Sequence, residues 1–403
     1  MGKSLLLFLL LTLVLPSCKN QSVNSPSAPA IVEHEVKLLA DGKLRYLELS
    51  GSPYERGLTH GRQLRKEIHE VIDLFKKDIR EVTNEDPDAF ITRFLRETNF
   101  KASILKWMPE VMEELNGIAE GAGIDRETIF MHQLGDEYWF NTKDLLAHHC
   151  SSFGVNRTSD NPAFAAQNMD IPQFYHGYQT VIRIIDLAGS KEMLFLTIPG
   201  HLGITGMNNK SVSINCNTLM QLDYGRTGLP VTFIVRGVVE KNTQKEALDF
   251  LADIKHASGQ NYIIGGPEEV FSIECSANKT VEFRPFDHAP FTYHTNHPMS
   301  NDDYNGNFLL MLKNQNNSLE QTEKDGFGCQ RIKSFQKRFT EHSKGIGIDD
   351  IKEVLSSKDN DTGDVISNDY TYASVIYELS DHPIFFIAPG KPHEENYIEI
   401  NFE

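Results

Sequence analysis

The sequence predicts an α+β fold in which helices cover two largely antiparallel sheets. Segments with helical periodicity cluster before residue 150, strand-like segments follow in runs, and the last third again places helices before strands. No P-loop and no GxGxxG motif is present in the sequence, so a nucleotide-binding fold is not indicated. The order of the segments favours an αββα sandwich, with two sheets between helical layers.

The first half of the chain is predicted to be mainly helical after one hairpin. Residues 33–50 alternate apolar and polar side chains around the turn sequence ADG, which is typical of a hairpin. Ser52 is a suitable N-cap and Pro53 fits the first turn, so a helix begins there. Further helices are predicted at about 87–118 and 125–140.

The second half is predicted to be rich in strands. Helices are expected at about 230–240, 244–255, 329–339 and 348–355. Strands are expected at 152–155, 164–167, 180–186, 192–198, 204–207, 212–216, 261–264, 270–275, 280–284, 291–295, 372–379, 384–388 and 397–401.

The N-terminus has the pattern of an export signal. An apolar run in residues 1–17 is too short to span a membrane, and Cys18 follows it in the sequence LPSC, typical of a lipidated cysteine. Residues 18–32 then form a predicted flexible tether. We therefore expect an exported lipoprotein held to a membrane through Cys18, with plain secretion as the alternative. Residues 33–149 and 150–403 are expected to be the helical and β-rich parts of one catalytic domain.

Composition excludes several classes of function. The net charge of -17 opposes binding to nucleic acid, whose phosphates would be repelled. The five cysteines include no CxxC pair, so neither a disulfide scaffold nor a structural zinc site is predicted. His148, His149 and Cys150 are poor metal ligands, because adjacent residues on a strand point to opposite faces. No metal and no cofactor is expected.

The chemistry is predicted to centre on Cys150. A hairpin joined by the loop at 156–162 places this thiol near Asp170. A nearby carboxylate raises the pKa of a thiol, so Asp170 cannot activate Cys150 directly. If the chain is cut between His149 and Cys150, the new α-amine provides a base of near-neutral pKa, and Asp170 can hold it.

Several motifs in the right order resemble one known family. The chain is similar to the acyl-coenzyme A:6-aminopenicillanic acid acyltransferase (isopenicillin-N acyltransferase-like) family of autoproteolytic N-terminal nucleophile (Ntn) hydrolases, which is related to the choloylglycine hydrolases. The resemblance runs from about residue 34 to the C-terminus. It rests on GSPYERG at 51–57, HG at 60–61, CSSF at 150–153, QNMD at 167–170, TNH at 295–297, SVIY at 374–377 and APG at 388–390.

The resemblance implies roles for individual residues. Cys150 would be the nucleophile exposed by cleavage after His149, and Asp170 the carboxylate that holds its amine. Asn296 would donate to the tetrahedral oxyanion, and Arg331 would support the nucleophile and the carboxylate. Asn168 and Gln167 are further candidates that would support the substrate or the oxyanion. The predicted site is therefore Cys150, Asp170, Asn296, Arg331, Asn168 and Gln167.

The resemblance implies an enzyme that acts on a small-molecule amide. The acyl group would pass through a thioester on Cys150 to water or to an amine. His149 departs from the glycine that precedes the nucleophile in the penicillin-forming enzyme. Six aromatic residues suggest an apolar acyl pocket: Tyr138, Trp139, Phe140, Phe153, Phe174 and Tyr175.

Two alternatives remain open at the level of sequence. One is a surface-anchored binding protein that has the same fold without catalysis. The other is a papain-like hydrolase in which His294 or His297 pairs with Cys150, since both lie downstream of the cysteine.

Overall fold

The computed structural model describes residues 35–140, 150–186, 188–341 and 345–403. These residues belong to one compact unit. The predicted signal, Cys18, the tether, His148 and His149 lie outside the described residues and stay predictions. Within the described ranges, no helix is both long and apolar enough to cross a membrane.

Helices make up most of the described residues before Cys150. The first, α1, begins with a reciprocal capping box, in which the Ser52 hydroxyl accepts from the Glu55 amide and the Glu55 carboxylate accepts from the Ser52 amide. The α-helices are α1 (Pro53–Gln63), α2 (Arg65–Thr83), α3 (Pro87–Glu97), α4 (Phe100–Trp107), α5 (Val111–Ala122), α6 (Arg126–His132), α7 (Gly135–Trp139), α8 (Val231–Val239), α9 (Gln244–Asp253), α10 (Gly306–Asn314), α11 (Leu319–Lys324), α12 (Gln330–Glu341) and α13 (Ile348–Leu355).

The strands form two sheets. They are β1 (Lys37–Leu39), β2 (Leu44–Leu49), β3 (Ser151–Val155), β4 (Ala163–Asp170), β5 (Thr180–Ile185), β6 (Glu192–Thr197), β7 (Thr205–Asn208), β8 (Ser213–Thr218), β9 (Gln260–Gly265), β10 (Val270–Cys275), β11 (Thr280–Phe283), β12 (Phe291–His294), β13 (Thr371–Leu379), β14 (Ile384–Ala388) and β15 (Ile398–Asn401). One sheet has the order β1-β2-β5-β6-β7-β8-β9-β10-β11, and the other has the order β12-β3-β4-β13-β14-β15. Every described pair of neighbouring strands is antiparallel except β2 with β5.

The two sheets pack face to face between helical layers. Strands β3 and β4 contact β8 and β9 across the sandwich. Helices α8 and α9 cover the nine-stranded sheet, while α12 and α13 contact the six-stranded sheet. On that second side, Phe153 packs against Phe335 and Phe339 of α12 in a separate apolar core. The predicted α+β class and αββα arrangement are confirmed.

Glycines let α1 and α5 approach each other closely. A Cβ atom on Gly57 would lie 1.9 Å from the carbonyl oxygen of Glu114, and one on Gly117 would lie 2.3 Å from that of Tyr54. No side chain fits between two backbones at these distances. The glycine motif of α1 therefore serves helix packing.

Gly57→Ala is expected to lower the free energy of unfolding by about 2 to 3 kcal/mol, because the added methyl group forces α1 and α5 apart. Denaturant unfolding measures the loss. Gly306→Ala is the matched control, since a Cβ atom there meets no atom within 4 Å. Equal effects of the two substitutions would contradict the packing role.

Most elements predicted from the sequence occur within a few residues of the predicted bounds. The helix that begins at Pro53 is interrupted at Leu64, and two short helices, α10 and α11, were not predicted. The polar sequence of α11 resembles a loop, whereas α10 contains the apolar run FLLML at 308–312, which the sequence analysis did not use. Their first turns are stabilised by the side chains of Asn305 and Ser318, which accept hydrogen bonds from backbone amides.

Candidate active site

The β3–β4 hairpin brings Cys150 next to Asp170. Cys150 directly precedes β3, and the register pairs Ser151 with Asn168. As a result, the Sγ atom of Cys150 lies 3.4 Å from both the backbone nitrogen and the carbonyl oxygen of Asp170. Cys150 is only 6% exposed. The predicted hairpin is confirmed, and it places the thiol at one end of the six-stranded sheet.

The surroundings of Cys150 keep its thiol protonated. Burial, and next the negative charge of Asp170, raise the pKa of the thiol, and the positive charge of Arg331 offsets only part of this effect. A thiol in this state is a poor nucleophile at neutral pH. Reaction at this sulfur therefore requires a base that the uncut chain does not place beside it among the described residues.

Asp170 is a buried carboxyl group with one oxygen unused. Its Oδ2 atom accepts a 2.5 Å hydrogen bond from Nδ2 of Asn368, whereas Oδ1 is buried and has no hydrogen-bond partner within the described ranges. Burial raises the pKa of Asp170 to about 7, although Asn368, Thr371 and Arg331 act in the opposite direction. The site thus contains a carboxyl group that lacks a cationic partner on one side.

Asn368 was not among the residues predicted from the sequence. It lies in the loop before β13, and its side chain also donates to the carbonyl oxygen of Val365 at 3.2 Å. In sequence it resembles any loop asparagine, so no sequence signal indicated its contact with Asp170.

Arg331 and Asn296 meet at the backbone of Cys150. Nη1 of Arg331 donates to the carbonyl oxygen of Cys150 at 2.5 Å and to Oδ1 of Asn296 at 3.3 Å. Nε of the same guanidinium donates to Asp364 at 2.6 Å. Since Arg331 is 2% exposed, these bonds hold it in one place.

The contact with Arg331 fixes which way the Asn296 amide points. With Oδ1 toward the guanidinium, Nδ2 donates to the carbonyl oxygen of Thr218 at 3.1 Å. An amide nitrogen has two hydrogens, and this bond uses one of them. The structure therefore brings four predicted site residues together around one end of β3: Cys150, Asp170, Asn296 and Arg331.

The side chains of Gln167 and Asn168 are directed away from the thiol. Gln167 bonds to the backbone of Cys216 in the facing sheet. Asn168 points to the other face of β4, where Nδ2 donates to the carbonyl oxygens of Leu355 and Ile366, both at 2.8 Å. The structure thus places both side chains in hydrogen bonds that join layers of the fold, and it does not bring them to Sγ.

Neither histidine of the papain-like alternative contacts the thiol within the described residues. Nε2 of His294 lies 2.7 Å from the Glu274 carboxylate, and its Nδ1 lies 2.8 Å from the carbonyl oxygen of Thr295. His297 stacks on Phe327 with 5.0 Å between ring centroids. Both imidazoles are therefore held on other parts of the fold.

A cavity of about 50 Å³ opens beside Cys150 and Asp170. Of the six aromatic residues expected around an acyl pocket, Trp139 and Tyr175 line it. The remaining lining residues are His132, Gly135, Asp136, Met169, Ile171, Ile198, His201, Ile204, Cys216 and Thr218. Sequence analysis missed Asp136 and His132, which lie on short helices where polar residues are common.

No cluster of three or more His, Cys, Asp or Glu side chains in the described ranges has the geometry to hold a metal ion.

Comparison with known proteins places these residues in a family. The profile described as acyl-coenzyme A:6-aminopenicillanic acid acyl-transferase matches residues 156–382. Asp170, Asn296 and Arg331 lie within that segment, and Cys150 lies just before it. The match is narrower than the resemblance expected from about residue 34 onward, yet it covers more than half of the chain.

Two curated relatives show sequence similarity. The 40 kDa form of acyl-coenzyme A:6-aminopenicillanic-acid-acyltransferase from Emericella nidulans is 26% identical over 233 residues, which cover 57% of this chain and 63% of that protein. Protein dcd1A from Dictyostelium discoideum is 31% identical over 130 residues, or 28% of each chain. The chain thus spans less than two thirds of the length of either relative.

Solved structures that align with this chain include two bacterial hydrolases. A mutant of conjugated bile acid hydrolase from Clostridium perfringens aligns with a TM-score of 0.40 and 15% identity, over 62% of this chain and 92% of that one. Penicillin V acylase from Agrobacterium tumefaciens aligns with a TM-score of 0.38 and 13% identity, over 62% of this chain and 86% of that one. Because the family profile matches more than half of its residues, this chain belongs to the acyl-coenzyme A:6-aminopenicillanic acid acyl-transferase family.

Proposed function

We propose that this protein is a self-cleaving cysteine amidohydrolase or N-acyltransferase that acts on linear amides through a thioester on Cys150. The observation that supports this most directly is Oδ1 of Asp170, which is buried without a hydrogen-bond partner among the described residues, next to a thiol beside which those residues place no base. A free α-amine on Cys150 would meet both needs, because it would pair with Asp170 and accept the proton of the thiol.

Self-cleavage between His149 and Cys150 would create that amine. In this step Sγ attacks the carbonyl carbon of residue 149. The peptide C–N bond between residues 149 and 150 breaks, and the nitrogen of Cys150 gains the proton that the thiol loses. Water then hydrolyses the resulting thioester, which releases a carboxylate on His149 and restores the thiol. Arg331, which donates to the carbonyl oxygen of Cys150, would hold the backbone in place during this rearrangement.

The cleaved enzyme would use the same atoms on its substrate. The α-amine takes the proton of the thiol, Sγ attacks the acyl carbon, and the amide nitrogen departs with that proton. Water or an acceptor amine then attacks the thioester, its proton passes through the α-amine to the departing Sγ, and the acid or the new amide is released. The second hydrogen on Nδ2 of Asn296 would stabilise the oxyanion, a contribution of about 3 kcal/mol for one donor in a dry site.

Mass spectrometry of the purified protein tests the proposal. We expect two chains, the second beginning at Cys150, together with release of amine from a panel of N-acyl amino acids, penicillins and conjugated bile acids. Iodoacetamide should label Cys150 of the cleaved protein before the buried Cys216, Cys275 and Cys329. A single uncut chain that hydrolyses these amides would refute the amine-base mechanism.

A further inference from the structure

The cavity beside Cys150 contains a second carboxyl group with an unused oxygen. Oδ1 of Asp136 on α7 accepts hydrogen bonds from Oγ1 of Thr218 at 2.6 Å and from Nε2 of Gln260 at 3.1 Å. In the part of the chain that the structure describes, no group donates to Oδ2. Burial raises the pKa of Asp136, and the two neutral donors offset only part of this effect, so a cationic ligand at the other oxygen would stabilise the ionised form.

His132 lines the same cavity and also lacks partners. The residue is 2% exposed, and neither ring nitrogen has a hydrogen-bond partner among the described residues. Burial lowers the pKa of His132 to about 3, so the imidazole is neutral and offers one acceptor and one donor. Its ring neighbours are Phe75, Tyr175 and His201. A buried imidazole with both nitrogens unsatisfied indicates a missing polar ligand.

The charge of this cavity wall is unbalanced. No lysine or arginine is among the residues described as lining the cavity. If the α-amine of Cys150 pairs with Asp170, Asp136 is left without a cation. A carboxylate ligand would therefore be repelled here, whereas an ammonium group would find two acceptors, Oδ2 of Asp136 and the unprotonated nitrogen of His132.

We propose that Asp136 and His132 bind a protonated amine on the acyl half of the substrate, so that the enzyme acts on aminoacyl amides. This inference rests on the proposed function of Cys150. We assign the cavity to the acyl half of the substrate, and not to the amine half, because its walls are largely buried residues such as Met169 and Ile198. The acyl group stays bonded to Sγ between the two half-reactions, while the departing amine and its replacement must exchange with solvent.

Matched substrates test the inference. Glycyl p-nitroanilide and acetyl p-nitroanilide differ in an amine on the α-carbon, and the β-alanyl and propionyl pair differs in an amine on the β-carbon. We expect the cleaved wild-type enzyme to prefer the aminoacyl member in kcat/KM by at least about tenfold. Asp136→Asn should reduce that preference by about 10- to 100-fold, chiefly through slower aminoacyl turnover, because the amide retains its bonds but loses the charge.

Asp249→Asn is the matched control, since it makes the same change on the exposed surface of α9 and should leave the preference unchanged. Equal turnover of aminoacyl and neutral amides by the wild type would overturn the inference. A preference for substrates whose positive charge lies on the amine half, and not on the acyl half, would overturn it as well. The wild-type comparison decides the matter even if Asp136→Asn does not fold.

A reagent that needs no substrate separates this inference from the proposed function. Aminoethyl and sulfonatoethyl methanethiosulfonate both convert a thiol to a mixed disulfide with loss of a sulfinate, but they have opposite charges. We expect the cationic reagent to modify Cys150 at least about tenfold faster, and Asp136→Asn to reduce that ratio. Equal rates in a cleaved, active enzyme would refute the cation site alone, whereas an uncut chain without turnover would refute the proposed function.

Discussion

Cys150→Ala is expected to leave the chain in one piece and to reduce amide turnover by at least about 10⁴-fold. Removal of a nucleophile eliminates the covalent route, and only binding and oxyanion stabilisation remain. In this protein the same atom would start self-cleavage and substrate acylation, so both should be lost together. Intact-mass analysis and amine release measure the two effects on one sample.

The control for this substitution is Cys275→Ala. Cys275 is a fully buried thiol on β10, and it does not line the cavity beside Asp170. The Cys275→Ala protein should be cleaved and active. If the Cys150→Ala protein were still cut at the same bond, or kept more than about a tenth of the activity, the thioester mechanism would be wrong.

Asp170→Asn is expected to inactivate the enzyme while it stabilises the uncut fold. The loss of activity should be about 10³- to 10⁴-fold, comparable to the cost when a carboxylate no longer orients a catalytic base. In the Cys150→Ala background, where Asp170 has no amine to pair with, the substitution should raise the free energy of unfolding at pH 8 by up to about 4 kcal/mol.

The stabilising effect should depend on pH in one direction. The pKa of Asp170 is about 7 in the fold and near 3.8 in the unfolded chain, so the folded state binds its proton more tightly. Ionisation of this group therefore removes stability as the pH rises from about 4 to about 7. The advantage of Asn over Asp should be small at pH 4, should grow across that range and should be constant above it.

Denaturant unfolding at pH 4, 6 and 8 measures this difference between the two proteins. Asp249→Asn in the same background should shift the free energy by less than about 0.5 kcal/mol at each pH, because its carboxylate is solvated. An advantage for Asp170→Asn that stayed flat or shrank toward pH 8 would show that the carboxyl group is already paired in the uncut chain.

Local patterns predicted much of the fold correctly. Two short apolar runs, which form β3 and β4, and the polar loop between them predicted the hairpin and the closeness of Cys150 to Asp170. Caps and turn residues predicted the start of α1. These features depend on residues within one or two elements, so their signals are present in short stretches of sequence.

The side of a strand to which a given side chain points was harder to predict from the sequence. Gln167 and Asn168 are adjacent, so they must point to opposite sides of β4. Only the packed layers show that one side chain reaches Cys216 in the facing sheet and the other reaches the region around α13. Both are buried amides, and a buried amide that joins two layers cannot be distinguished in sequence from one that contacts a substrate.

The sequence by itself determined the class of fold, the hairpin and, through its motifs, the family of this protein. Only the tertiary structure decided that Arg331 donates hydrogen bonds to both Asn296 and the backbone of Cys150. It also decided that Asn368 donates to one carboxylate oxygen of Asp170. It also revealed Asp136 and His132 on the cavity wall. The physical reason is that an unsatisfied hydrogen-bonding atom is a property of everything around it, and those neighbours come from elements far apart in the chain.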